Sequence, residues 1–124
     1  MSNPARPPAG ALLARLDDIS DPGALVRDFN AGEARYSLLL ARRGDVVTAY
    51  ENRCPHAGFP LERPDGRLLV QEGRYLLCAG HGASFSMADG ACVAGPGSGR
   101  GLTPISISVS EGEIRMAQSR TEGL

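Results

Sequence analysis

The sequence has no long apolar run and no excess of charge of either sign. A membrane-spanning helix needs about 18 or more continuous apolar residues, and no such stretch is present. Thirteen basic residues nearly balance 14 acidic ones, so the formal net charge is -1. A chain with this balance has no broad electrostatic field to attract nucleic acid or anionic lipid. We therefore expect neither a membrane nor a nucleic acid as a partner.

The N-terminus also lacks the pattern of a secretory signal peptide. Three prolines precede the first apolar run, and acidic residues follow that run directly. The expected compartment is the cytoplasm, where thiols normally stay reduced. Metal binding or catalysis is then a better interpretation of Cys54 and Cys78 than a disulfide bond.

Short apolar runs between clusters of glycine and proline predict an all-β fold. The predicted strands cover residues 11–16, 24–29, 36–41, 45–50, 67–71, 74–78, 84–87, 91–95, 102–110 and 114–117. In the ninth strand, Ile105, Ile107 and Val109 alternate with serines and are predicted to share one buried face. The first two runs could instead form a short helix.

The chain length of 124 residues allows one domain with a single hydrophobic core. We expect residues 10–117 to form this domain. Residues 1–9 and 118–124 are expected to be flexible tails, because they are polar or rich in proline and lie at the chain ends.

Both histidines of the chain stand close to a cysteine. Cys54 and His56 form a C-x-H pair, Cys78 and His81 form a C-x-x-H pair, and 21 residues separate the two pairs. Two thiolates and two imidazoles suit a tetrahedral zinc ion, or an iron-sulfur cluster in which two histidines replace two cysteines on one iron. Zinc fingers usually pair like ligands in one knuckle, so the mixed pairs favour the cluster.

The two ligand stretches and their flanks resemble the Rieske family. The segments VVTAYENRCPHAGFPL, LLCAGHGASFSMADGACVAGP and LTPISISVSEGEIRM carry the resemblance, which covers most of the chain. It implies a sandwich or barrel of antiparallel sheets with a small cluster-binding part at about residues 52–97, made of two hairpin loops. It also implies one Rieske-type 2Fe-2S cluster, with Cys54 and Cys78 on one iron and His56 and His81 on the other.

Two departures from the respiratory members of the family bear on the reduction potential. Those proteins carry an extra cysteine in each ligand loop, and the two form a disulfide, whereas Phe59 and Gly80 stand at these places here. They also carry a serine and a tyrosine whose hydroxyls bond the cluster sulfurs, where this chain has Ala83 and Phe85. The resemblance therefore implies a low-potential, ferredoxin-like centre near the low end of the roughly -150 to +300 mV Rieske range.

The remaining candidate residues have supporting or structural interpretations. Gly58, Gly80 and Gly82 would let backbone amides approach the cluster sulfurs closely. The GPGSGRG run lacks the spacing of a phosphate-binding loop and is interpreted as a loop over the cluster that contains Pro96. Cys92 lies among small residues in a short strand and is interpreted as a buried apolar side chain.

The histidine count separates an electron carrier from an oxygenase. A Rieske oxygenase needs a second iron held by two more histidines and a carboxylate, and both histidines here are already assigned. No flavin or nicotinamide fingerprint is present either. We expect a protein that is not itself an enzyme and that carries one electron from a reductase to a terminal oxygenase or another redox enzyme.

Two alternatives stay open at this point. One is a small Rieske-like subunit of a larger reductase, of the nitrite reductase type, and the other is a zinc-binding interaction module. Docking of a partner could involve one or two of the seven arginines at positions 35–74, and the sequence does not choose among them.

Overall fold

The computed structural model describes residues 3–55, 60–79, 82–95 and 100–117. The predicted all-β class is confirmed, since helical structure in these ranges is limited to one 3-10 turn, and none of it is long and apolar enough to cross a membrane. The elements are β1 (Leu12–Arg15), the 3-10 turn (Leu16–Asp18), β2 (Gly23–Ala31), β3 (Ala34–Arg43), β4 (Val46–Glu51), β5 (Leu69–Gln71), β6 (Tyr75–Leu77), β7 (Ser84–Ser86), β8 (Cys92–Ala94), β9 (Ile107–Ser110) and β10 (Glu113–Met116). Each strand overlaps one of the predicted runs.

The strands form three antiparallel sheets. The first sheet has the order β1-β10-β9, the second β2-β3-β4 and the third β5-β6-β7-β8. The second sheet is a meander whose two connections are two-residue turns, because Ala31 pairs with Ala34 and Arg43 pairs with Val46. Each turn begins with a glycine at positive φ, which is +62° at Gly32 and +63° at Gly44. Short turns of this kind fix the register of the strands that they join.

Strand β3 is buried on both faces and separates two hydrophobic cores, where the chain length predicts a single one. Leu38 and Leu40 belong to the first core, and Leu39 and Ala41 belong to the second. The first core also contains Leu13, Ala14, Ile19, Tyr36, Ala49, Ile105, Ile114 and Met116, with Ala5 from the N-terminal segment. The second core also contains Tyr50, Cys54, Leu61, Leu76, Cys78, Ala83, Phe85, Met87 and Leu102. A continuous apolar run in place of strict alternation is what a strand buried on both faces requires.

The second and third sheets are joined at the carbonyl oxygen of Met87. It accepts a hydrogen bond from Thr48 Oγ1 at 2.6 Å and one from the buried Tyr50 hydroxyl at 2.8 Å. Burial raises the pKa of Tyr50 above its ordinary value. A Cβ on Gly90 would lie 2.7 Å from Cε1 of the Tyr50 ring, so only glycine lets the β7–β8 turn approach this ring.

The N-terminal segment and β9 differ from the sequence expectations. The sequence predicts a flexible tail over residues 1–9, yet Ala5 lies in the first core and Asn3 Nδ2 donates to the carbonyl of Arg35 at 2.8 Å. The predicted burial of Val109 is wrong, since this side chain is 40% exposed. Strand β9 is an edge strand of the first sheet, so Val109 has the buried Ile114 of β10 as its cross-strand neighbour on one side only.

Candidate metal centre

The two predicted cysteine ligands lie in the same hydrophobic core. Cys54 is 0% exposed and Cys78 is 2% exposed, and both belong to the second core. Neither forms a disulfide bond. The predicted ligands His56 and His81 lie outside the described residues, as do Gly58, Phe59, Gly80 and Pro96. Ligation by the four side chains therefore stays a prediction, while the two thiols are placed in one water-poor region.

The first ligand loop, residues 52–61, leaves the second sheet after β4. Its two ends are tied together, because the Oδ1 atom of Asn52 accepts a hydrogen bond from the backbone amide of Leu61 at 2.9 Å. The loop leads to β5, which belongs to the third sheet, so it is a connection between sheets.

The second ligand loop, residues 78–83, is the tip of the β6–β7 hairpin, as expected. Leu77 pairs with Ser84, and directly beyond this pair the Cys78 amide donates to the Ala83 carbonyl at 2.8 Å. The Gly82 amide donates to the Cys78 carbonyl at 2.9 Å, with φ at +74°, a conformation that favours glycine. The two ends of the loop are therefore held together at Cys78.

One backbone hydrogen bond joins the two ligand loops directly. The amide of Ala79, next to Cys78, donates to the carbonyl of Leu61 at 3.1 Å. Leu61 is fully buried in the second core. The end of the first loop therefore packs against the start of the second.

A third segment contacts the second ligand loop. A Cβ on Gly95 would lie 2.8 Å from the Cα of Ala83 and 3.1 Å from the carbonyl oxygen of Gly82. Gly95 also has φ at +88°. The run that the sequence predicts to cover the cluster therefore starts directly against the second loop, while the predicted covering residue Pro96 follows outside the described residues.

Apart from the Tyr50 hydroxyl, the described side chains that form the second core with the two thiols are apolar. Ala83 and Phe85 are fully buried in the second core, so these two positions present no hydroxyl there. Cys92 is only half-buried and packs against the edge of that core, where its Sγ lies 3.5 Å from the carbonyl oxygen of Ala94. Its interpretation as an apolar packing residue agrees with this position, although the side chain is less buried than expected.

Of two exposed arginines at the first ligand loop, one lies within the loop and one beside it. Arg53 and Arg100 line a groove of about 430 Å³ together with Glu51, Pro55, Gly101 and Thr103. The ion pairs in the described part of the chain involve other arginines. Both side chains are exposed, and Arg53 adjoins Cys54 in sequence.

The donor chemistry of these residues fits an iron-sulfur group. The two thiols are soft ligands in an apolar surrounding, and each belongs to a pair with a histidine close in sequence. Sulfur and imidazole donors suit zinc or iron-sulfur clusters and do not suit magnesium or calcium. The donor set leaves the choice between zinc and a cluster open.

Comparison with protein families decides this choice. The model described as the Rieske [2Fe-2S] domain matches residues 12–114. The chain belongs to the Rieske [2Fe-2S] domain family. The prediction of a 2Fe-2S cofactor is thereby confirmed, and the zinc-binding module is no longer a competing interpretation.

Solved structures share the fold of this Rieske domain. The ferredoxin of carbazole 1,9a-dioxygenase from Nocardioides aromaticivorans IC177 is 22% identical, with a TM-score of 0.68 over 90% of this chain and 100% of that one. The Sphingomonas yanoikuyae B1 ferredoxin is 22% identical, with a TM-score of 0.66 over 89% and 99% of the two chains. The terminal oxygenase of the Nocardioides system is 19% identical, with a TM-score of 0.71, but only 30% of its chain is covered. No curated protein sequence matches the chain.

Sequence reasoning missed the residues that connect the loops. Asn52 precedes Cys54 by two positions and Leu61 is one of many leucines, so neither has a local signature of its role. Their partners come from β3 and from the second ligand loop, which lie far away in sequence.

Proposed function

We propose that this Rieske domain is a one-electron carrier, which accepts an electron from a reductase and passes it to a terminal oxygenase or another redox enzyme. The observation that carries the proposal is the extent of the structural match. The domain spans whole ferredoxins but only 30% of the terminal oxygenase chain. The matched domain thus has the extent of a whole ferredoxin.

The ligand assignment is part of this proposal. Cys54 and Cys78 would hold one iron, and His56 and His81 would hold the other. When bound, the cluster would accept and release one electron. Because both histidines are used, none is left for the mononuclear iron that activates oxygen. The domain would therefore have no substrate turnover of its own.

The described residues would make the centre suitable for a low potential. The second core keeps water from the two thiols, and the buried positions Ala83 and Phe85 offer no hydroxyl to the cluster sulfurs. Hydrogen bonds to the sulfurs stabilise the more negative, reduced state, so their absence at these two places favours the oxidised state. The reduction potential is expected near the low end of the roughly -150 to +300 mV Rieske range.

Arg53 and Arg100 would guide a redox partner with an acidic surface to the first ligand loop. Both are exposed beside Pro55 in the groove described above, and charge complementarity increases association rates more than it increases final affinity. Replacement of both by glutamate should lower the second-order rate of electron transfer and weaken its salt dependence. Arg43→Glu is the control for each single replacement, Arg53→Glu and Arg100→Glu, because Arg43 is exposed at the β3–β4 turn, at the other end of β4.

The experiment that tests the carrier proposal combines spectroscopy with reconstitution. The protein reduced with dithionite should give the rhombic paramagnetic resonance signal of a cluster with mixed histidine and cysteine ligands. It should not oxidise NADH alone, and it should support turnover when a reductase and an oxygenase are added. Turnover by the isolated chain would refute the carrier role, and zinc in place of iron would refute the 2Fe-2S centre.

A further inference from the structure

Asn52 is a buried polar side chain with every hydrogen-bonding group satisfied. It is 6% exposed, and its Nδ2 atom donates to Ser37 Oγ at 3.0 Å and to Glu62 Oε1 at 2.7 Å, while Oδ1 accepts from the Leu61 amide. A buried amide is costly unless it is hydrogen-bonded, so a residue with this many partners has one strongly preferred position.

The position of Asn52 is set by the second sheet. Besides the side-chain contact with Ser37, the backbone amide of Asn52 donates a hydrogen bond to the backbone carbonyl of Ser37 at 3.0 Å. Ser37 belongs to β3, the strand buried on both faces. Asn52 is therefore anchored at two points to the central strand of the fold.

The same side chain determines where the first ligand loop ends. Asn52 and Leu61 are nine positions apart, and the bond between them closes the loop into a ring that contains Cys54. The carbonyl of Leu61 then accepts from the amide of Ala79, which adjoins Cys78. A short hydrogen-bonded path thus runs from β3 through Asn52 and Leu61 to the second ligand loop.

We propose that Asn52 is a positioning residue for the cluster, which holds the two ligand loops at their binding separation through Leu61. This inference rests on the proposed cluster site. Residues that orient metal ligands without touching the metal commonly affect metal affinity about 10- to 100-fold when they are replaced. The effect of Asn52 on the cluster should therefore exceed its effect on global folding.

The test compares Asn52→Ala with a double variant that restores the contacts. In Asn52→Asp combined with Glu62→Gln, the carboxylate and the amide exchange places at constant net charge. A carboxylate at position 52 can still accept from the Leu61 amide and from the Ser37 hydroxyl, and the new amide at position 62 can donate to it. Asn30→Ala is the control for loss of an asparagine, since Asn30 is exposed on β2. Ile114→Val is the control for a loss of stability in the first core, remote from the ligand loops.

Cluster release is followed by the decay of visible absorbance in a chelator, and iron content and the paramagnetic resonance spectrum are measured in parallel. Asn52→Ala should release the cluster about 10- to 100-fold faster than the wild type. The double variant should return close to the wild-type rate, and the two controls should not release it faster. Equal release by Asn52→Ala and Ile114→Val would reduce Asn52 to a purely structural role and overturn the proposal.

A second measurement follows the backbone instead of the cluster and is made while the cluster is still bound. Amide hydrogen exchange in the peptides that contain Leu61 and Ala79 should become faster in Asn52→Ala, while exchange in β3 should not change. Unchanged exchange at Ala79 would overturn the proposed path. Absence of iron from the wild-type protein would instead refute the proposed function, so the two failures can be distinguished.

Discussion

Replacement of Gly95 by alanine should destabilise the protein for two separable reasons. Gly95 has φ at +88°, a backbone conformation that costs an L-residue roughly 1–2 kcal/mol. The new Cβ would also lie 2.8 Å from the Cα of Ala83, so the backbone of the second ligand loop would have to move. Overpacking of this kind adds about 1–3 kcal/mol, so the free energy of unfolding should fall by about 2–5 kcal/mol in total.

Gly10 provides the matched control. It has the same φ of +88°, but a Cβ at this position would meet no atom within 4 Å. Gly10→Ala should therefore show the conformational cost alone, about 1–2 kcal/mol. The difference between the two variants measures the contact between Gly95 and the second ligand loop.

Thermal unfolding measures both variants. At about 2.1 cal/mol/K of unfolding entropy per residue, a chain of this length loses about 4 °C in Tm for each kcal/mol. Gly95→Ala should unfold at least about 4 °C below Gly10→Ala, and it alone should release the cluster faster, because only Gly95 contacts a ligand loop. Equal Tm values for the two variants would refute the close approach of Gly95 to Ala83.

Three further predictions concern the contacts at Met87, the response to pH and the third cysteine. In either single variant, Thr48→Val or Tyr50→Phe, the Met87 carbonyl keeps one donor, so the free energy of unfolding in urea should fall by about 0.5–1.5 kcal/mol. The double variant removes both donors, so its loss should exceed the sum of the two single losses by about 1–3 kcal/mol. Additive losses would contradict the shared acceptor. Burial raises the pKa of Tyr50 and of Tyr36 above the ordinary value of 10.0, so the folded state retains protons that the unfolded chain releases. This contribution to stability is complete below pH 10.0 and is lost as the pH rises through the folded-state pKa values, and Tyr50→Phe should make the decline of the urea midpoint less steep. A midpoint that rises with alkaline pH would show that the sign is wrong. Cys92→Ser should leave the visible spectrum of the cluster unchanged, because Cys92 lies half-buried at the edge of the second core. Loss of the spectrum would mean that the ligand set is different.

Local patterns were sufficient to predict the strands. Alternation and glycine-containing turns indicate β5, β6 and β10 correctly, because hairpins form between neighbours in sequence. The same local reasoning fails at Val109, whose exposure depends on where the edge of a sheet lies relative to the core. It also fails at Ala5, which lies in the first core, next to a hydrogen bond between Asn3 and Arg35, 32 positions apart in sequence.

The sequence predicts the ligands of the candidate site but not the residues that position the ligand loops. Cysteine and histidine are scarce in this chain, so their pairing is visible in the sequence alone. Asn52 and Gly95 have no such signature, because their roles depend on atoms of Ser37 and Ala83 that other parts of the chain bring close. Contacts between distant segments follow from topology, which a single sequence states only indirectly.

Because β3 is buried on both faces, its leucines contribute little to fixing its alignment with β2 and β4. Leu38, Leu39 and Leu40 face alternate cores, so a shift of the strand by one residue would put leucine in place of leucine at two of these three positions. The leucines therefore discriminate poorly between the native alignment and its nearest alternative. The two turns at Gly32 and Gly44 therefore fix the alignment of β3 with its neighbours. Lengthening these turns by one residue should produce a mixture of alignments, although the sequence of the strand is unchanged.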